Sequence, residues 1–134
     1  MFALDPGLTR SATPFHEAPL STVLLKSDAR WPWLILVPRT PGVADLAALT
    51  DDDAGQLMRE IRLASAAVAQ EAGVERINVG ALGNIVPQLH VHVVGRWAGD
   101  PAWPGPVWGA PGAAPYAPGA AGERMARLAA RLSA

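Results

Sequence analysis

The sequence predicts an α+β fold: an antiparallel sheet of about five strands, one long helix packed on one face, and a short C-terminal helix. Three observations carry that expectation. A pair of β-rich segments comes first (20–37), a segment with helical periodicity follows (50–72), and a second pair of β-rich segments comes after it (76–94). At 134 residues, 50% of them hydrophobic, the chain has the length and apolar content of one globular domain spanning 1–134.

Leu20 to Lys26 is rich in β-branched and aliphatic residues and runs into the turn-like Ser27-Asp28-Ala29-Arg30. Trp31 to Val37 is a second apolar run ending at Pro38, so the two read as a hairpin. Arg39 to Gly42 is a Pro/Gly loop, and Asp45 to Leu49 reads as one short helical turn. Thr50 then has the character of an N-cap, with Asp51, Asp52 and Asp53 in the first turn, where negative charge complements the helix dipole. Leu57, Ile61, Ala64, Val68 and Ala72 recur at steps of three and four, and Gly73 supplies a stop, which predicts a core-packing helix. Arg76 to Leu82 and Gln88 to Val94 read as strands flanking a turn at Gly83-Asn84, and the strand that carries His90 is expected to be central. Trp97 to Pro118 holds Trp97, Trp103, Trp108 and Tyr116 among many Pro, Gly and Ala residues, which disfavour regular structure but can wrap a surface. Glu123 to Leu132 reads as the closing helix.

Composition excludes several functional classes. Eleven basic side chains against twelve acidic ones leave no electrostatic footprint for nucleic acid or an anionic membrane, so a bound phosphate must be held locally. There is no cysteine, hence neither a disulfide framework nor a thiolate metal site. The first residues lack a basic segment followed by a long apolar run, and no apolar stretch is long enough to span a bilayer. The expectation is a cytoplasmic protein.

The most informative segment is Gln88-Leu89-His90-Val91-His92-Val93-Val94, which contains two of the three histidines. In a strand, Gln88, His90 and His92 project from one face and Leu89, Val91 and Val93 from the other. The bland alternative is a half-exposed strand whose outer face happens to be polar. A His90/His92 metal site lacks a further ligand at a recognisable spacing, so no metal and no cofactor are expected. His16 lies in an irregular N-terminal stretch and reads as a surface residue, and Arg96 as a solvated base opening a loop.

Taken together, Trp33-Leu34-Ile35-Leu36-Val37-Pro38, Asn78-Val79-Gly80, Gly83-Asn84 and the Gln88 to Val94 segment resemble, in order and spacing over roughly 20–96, the histidine-triad (HIT) family of nucleotide hydrolases and transferases. The resemblance implies a HIT-like fold and a nucleotide or dinucleoside polyphosphate as substrate. It implies that His90 is the nucleophile attacking the α-phosphorus, and that His92 bonds a phosphate oxygen and assists the leaving group. It likewise implies phosphate or nucleotide contacts from Asn84, where the family commonly has Gln, from the backbone at Gly83, and from Asn78, for which a structural turn role is an equal alternative. Ser27 and Asp28 stand where the family tends to bind ribose, though both also suit a turn.

The departures from the pattern are specific. Gln88 stands at the first triad position, Trp33 replaces a histidine of the preceding strand, and Ile85 replaces a common Ser/Thr. Glutamine can hold a hydrogen bond but cannot shuttle a proton as imidazole does. Three readings therefore stand side by side: a nucleotide phosphoester or phosphoramidate hydrolase or nucleotidyl transferase, a nucleotide-binding or regulatory protein with little turnover, and an interaction protein whose Trp-rich segment (97–134) is the working surface. A homodimer joined through that segment is expected, because four large aromatics are hard to cover within so small a domain.

Overall fold

The computed structural model describes residues 1–133, and among these the backbone forms five strands, β1 (Ala12–Glu17), β2 (Ser21–Lys26), β3 (Trp33–Pro38), β4 (Arg76–Gly80) and β5 (Val91–Arg96). The α-helices are α1 (Pro6–Thr9), α2 (Asp51–Ala69) and α3 (Ala120–Leu132), with a single 3-10 turn at Leu46–Ala48. The strands make one antiparallel sheet in the order β1-β2-β3-β5-β4, so β3 is the middle strand and β5 lies between it and the edge strand β4. The α+β expectation therefore holds. The histidine strand is interior but one place off centre.

β2 and β3 pair from Ser21 opposite Pro38 to Leu25 opposite Leu34. Both are buried almost throughout because each face of the sheet is covered. One face carries Val23, Leu25, Leu34, Leu36, Val91 and Val93 against Leu57, Ala64, Ala67 and Val68 of α2 and Leu128 of α3. The opposite face carries Leu24, Trp33, Ile35, Val37 and Val94 beneath Leu8, Ala12, Trp31 and Val107. The first layer is the helical one expected. The second is assembled from the N-terminal segment and the Trp-rich segment.

α2 begins where the sequence indicates: the Thr50 hydroxyl accepts a hydrogen bond from the Asp53 amide at 3.1 Å. It ends at Ala69, three residues before Ala72, which is exposed in the turn leading to Gly73. Glu71 in that turn is buried and receives the guanidinium groups of Arg124, Arg127 and Arg131, which fasten α3 onto α2. Burial works against its charge, yet the three arginines hold its carboxyl down to about 2. α1 and β1 lie in a stretch that carries no clear periodic signal. Pro14 interrupts the alternation, and the register slips between Pro14 and His16, as suits an edge strand.

The packing overturns one further expectation and weakens the premise of another. Arg96 is 1% exposed rather than solvated: it donates to both oxygens of Asp100 at 2.7 and 3.0 Å, to Asn78 Oδ1 at 2.8 Å and to the Gly105 carbonyl at 2.8 Å. Its guanidinium also lies 5.6 Å from the Trp103 ring centroid. Three of the four aromatics of 97–118 are covered within the same chain, Trp97 and Trp108 on the second face and Tyr116 on the helical core, while Trp103 is 39% exposed. This coverage weakens the argument that the segment needs a partner subunit. Among the described residues, no helix is long and apolar enough to cross a membrane.

Candidate active site

The register of β3, β5 and β4 builds the site. Ile35 pairs with His92 and Gly80 pairs with His92 from the other side, so the imidazole projects from the second face, flanked by Trp33 two residues before Ile35. His90 immediately precedes β5, and its ring centroid stands 5.0 Å from that of His92. The two histidines line a cleft of about 560 Å³ together with Lys26, Asp28, Arg30, Trp33, the loop 82–86 and the segment 107–113.

Hydrogen bonds determine which nitrogen of each ring is available. His90 Nδ1 is 2.7 Å from the Gln88 carbonyl oxygen. A carbonyl can only accept, so Nδ1 carries a proton, and in the neutral ring the lone pair lies on Nε2. For His92 the arrangement is reversed: the Trp33 indole Nε1–H donates to Nδ1 at 3.0 Å, so the His92 proton resides on Nε2. Burial, followed by the electrostatic influence of His90 and Lys26, pushes the His92 pKa down to about 3. The cleft thus presents one imidazole as a lone-pair donor and the other as a neutral N–H donor.

A stability prediction follows from that depressed pKa. Between pH 6.5 and 3 the unfolded chain takes up a proton at His92 that the folded chain refuses, so stability falls as pH falls through that window. Glu71, lowered from 4.5 to about 2, extends the loss at more acid pH. Thermal melts are expected to show Tm falling by on the order of 10 °C from neutrality to the bottom of the histidine window. His92→Gln, which keeps an acceptor for Trp33 but does not titrate, should flatten the upper part of the curve. An unchanged slope in the variant would remove His92 as the cause.

The other sequence-derived candidates divide. Asn84 is exposed and Gly83 part-exposed on the cleft rim, and Gly83 has φ of 68°, a conformation that favours glycine. Asp28 lines the cleft, but its carboxylate is bound by Arg30 Nε and Nη2 at 3.0 and 2.8 Å and by the Ala114 amide at 3.3 Å. Burial opposes its charge, while the Arg30 guanidinium and the backbone amides hold its pKa below the ordinary value. Ser27 is exposed outside the cleft, and Asn78 accepts from Arg96 on β4 away from it. The Gln88 side chain does not line the cleft. The strand starts only at Val91, and the Gln88 side chain accepts from the Asp5 amide at 2.9 Å and donates to the Ala3 carbonyl at 2.8 Å. Pro87 precedes it, and the Leu89 amide bonds to the Val43 carbonyl instead of to β3, so the strand's ladder pairing does not reach back to Gln88.

Lys26 is the cleft residue that the sequence reading passed over. Its Nζ donates to Ser11 Oγ at 3.1 Å and lies 5.4 Å from the Trp33 ring centroid. Alternation could have found it, since Leu24 faces Ile35 and Lys26 is two residues on, but only once the strand register is known. Trp108 forms the opposite wall, 5.5 Å from His92 by centroids, and lies across Gly80, where an added Cβ would meet its ring at 2.8 Å. Gly80→Ala is therefore expected to displace Trp108 while the fold is retained. The tryptophan emission spectrum beside far-UV circular dichroism measures this, and unaltered emission would mean that Trp108 does not rest on Gly80.

Residues 10–99 match the model of the HIT domain family. The structure resembles that of a histidine triad protein from Marinobacter aquaeolei VT8, with 40% identity, a TM-score of 0.95, and coverage of 99% of this chain and 97% of that one. It also resembles a histidine triad protein from Sinorhizobium meliloti 1021, with 45% identity, a TM-score of 0.88, and coverage of 98% and 95%. An AP-4-A phosphorylase of Mycobacterium tuberculosis is 32% identical over 117 residues, spanning 72% of this chain. The chain spans 60% of the length of that relative. With the match covering the sheet, α2 and both cleft histidines, the chain belongs to the HIT domain family, the histidine-triad proteins.

Proposed function

We propose that this protein is a hydrolase or nucleotidyl transferase acting at the α-phosphate of a nucleotide through a nucleotidyl-His90 intermediate. The observation that carries the reading is the His90 Nδ1–H bond to the Gln88 carbonyl, which in the neutral ring puts the lone pair on Nε2, at the cleft. Attack by that lone pair on phosphorus places positive charge on the ring, and the Nδ1–H bond to a carbonyl oxygen stabilises that charge. His92 Nε2–H is a neutral donor suited to a phosphate oxygen, and Lys26 adds a positive charge at the same wall. In this reading Gln88 takes the place of the first triad histidine as a brace: its carbonyl orients His90 and its amide ties the N-terminal segment down.

Similarity to the AP-4-A phosphorylase makes a dinucleoside polyphosphate the first substrate to try. The test is incubation with diadenosine tetraphosphate carrying labelled adenosine. The expected result is turnover, with label held on His90 in an acid-labile, alkali-stable bond. Binding without turnover or label would favour the regulatory reading instead.

A homodimer remains part of the proposal, with its interface moved from the Trp-rich segment to the sheet edge. β4 is an edge strand, and Val79, Met58 and Leu46 are 48%, 55% and 52% exposed along one apolar groove between it and α2. Two copies related by a two-fold axis could pair these edges and cover the groove. Sedimentation equilibrium is expected to give a dimer that Val79→Lys, on the exposed edge, converts to monomer, whereas a wild-type monomer at all concentrations would refute it.

A further inference from the structure

The Trp33–His92 hydrogen bond constrains the chemistry of the leaving group. An indole N–H can only donate, so its bond to Nδ1 leaves His92 a single arrangement, with its proton on Nε2. Trp33 and His92 are 5% and 8% exposed, and protonating Nδ1 would set two N–H groups against each other in a buried site. The groups around His92 reinforce this. His90 precedes it on the chain, Lys26 comes from β2, and Trp108 closes the far wall. Asp28 and Arg30, from the turn between β2 and β3, are paired with each other, so the acidic group at the cleft is already neutralised by its own partner. Nothing at this wall favours an imidazolium.

Resting on the hydrolase reading above, we propose that Trp33 and Lys26 restrict the site to substrates whose leaving group departs as an oxyanion, the phosphoanhydride class, and disfavour phosphoramidates. In the first step the His90 Nε2 lone pair forms the bond to the α-phosphorus. The bond from phosphorus to the bridging oxygen breaks, and its electron pair stays on the departing phosphate. No proton has to cross, and the Lys26 ammonium stabilises the charge that develops. In the second step a water oxygen bonds to phosphorus, the P–N bond breaks, its pair returns to His90 Nε2, and the water proton leaves to solvent. An amine leaving group is different, because its nitrogen must gain a proton as the P–N bond to the substrate breaks. His92 could supply one only by becoming an imidazolate, since Trp33 blocks the second proton. Trp33 is thus a positioning residue that selects the leaving group by holding His92 in one protonation state.

The experiment compares kcat/KM for diadenosine tetraphosphate and adenosine 5′-phosphoramidate, which share the attacked adenylyl group. The wild type is expected to favour the anhydride by about a hundredfold or more, and Trp33→Phe to reduce that ratio at least about tenfold, with the gain in phosphoramidate cleavage growing as pH falls. Lys26→Met should lower cleavage of the anhydride about tenfold and leave that of the phosphoramidate little changed. Nitrogen NMR of the wild type reads the cause without turnover: His92 is expected to remain the Nε2–H tautomer across about pH 4–8. Cleavage of the two substrates within about tenfold of each other in the wild type, or titration of His92 in that range, would overturn this inference alone. Cleavage of neither would overturn the hydrolase reading and this inference with it.

Discussion

Replacing His90 with alanine is expected to lower turnover of a nucleotide substrate by on the order of 10⁴-fold or more, with the protein still folded at the assay temperature. The effect should be this large because His90 is the one cleft side chain with an unprotonated nitrogen free of a protein partner. His92 Nδ1 is occupied by Trp33, the Asp28 carboxylate by Arg30, and Lys26 Nζ by Ser11. No neighbour can assume the covalent role. His92→Ala should behave differently, losing rate through the missing phosphate donor while retaining nucleotide affinity. Steady-state rates beside binding titrations separate the two variants. A His90→Ala protein that turned over normally would mean that the covalent assignment is wrong.

The largest effect on stability is expected at the other end of β5. Asp100→Asn should destabilise the fold by about 3–5 kcal/mol and lower Tm by on the order of 10 °C. Both partners are buried, with side-chain exposures of 1% for Arg96 and 0% for Asp100. Burial disfavours the Asp100 charge, but the Arg96 guanidinium and the amides of Ala102 and Trp97 hold its carboxyl well below the usual range. Removing that charge leaves a guanidinium in the interior with only the neutral oxygens of Asn78 and Gly105 for company. The double variant Arg96→Met with Asp100→Leu should be less damaging than Asp100→Asn alone, since no unpaired charge stays behind. Urea unfolding of the three proteins decides it, and a cost below about 1 kcal/mol for Asp100→Asn would show that the pair contributes no more than a surface one.

Local signals made much of this fold legible. The β2–β3 hairpin and α2 follow from β-branched runs, an N-cap threonine and steps of three and four, which depend on neighbours in sequence and survive without knowledge of the partners. α1 and β1 were not legible, because a four-residue helix and a proline-bearing edge strand with a register slip have no periodicity to detect. The Pro, Gly and Ala content of the Trp-rich segment predicts its irregular, apolar character, but not the surface it covers. An aromatic residue states that it will be buried without stating against what.

The site divides along the same line. The sequence by itself determined that His90 and His92 would lie close together, because the chain separates them by only one residue, and it determined the identity of the chemistry-bearing groups. Tertiary structure alone decided their states. Which nitrogen of His90 carries the proton depends on the direction of the Gln88 carbonyl, and which nitrogen of His92 does depends on Trp33, 59 residues away in sequence and brought alongside by the β3–β5 register. The same assembly turned Gln88 toward Ala3 and Asp5, placed Lys26 on the cleft and buried Arg96. Residue type sets what a group can donate or accept, but its protonation, orientation and exposure depend on non-local partners, and those exist only after the strands have paired.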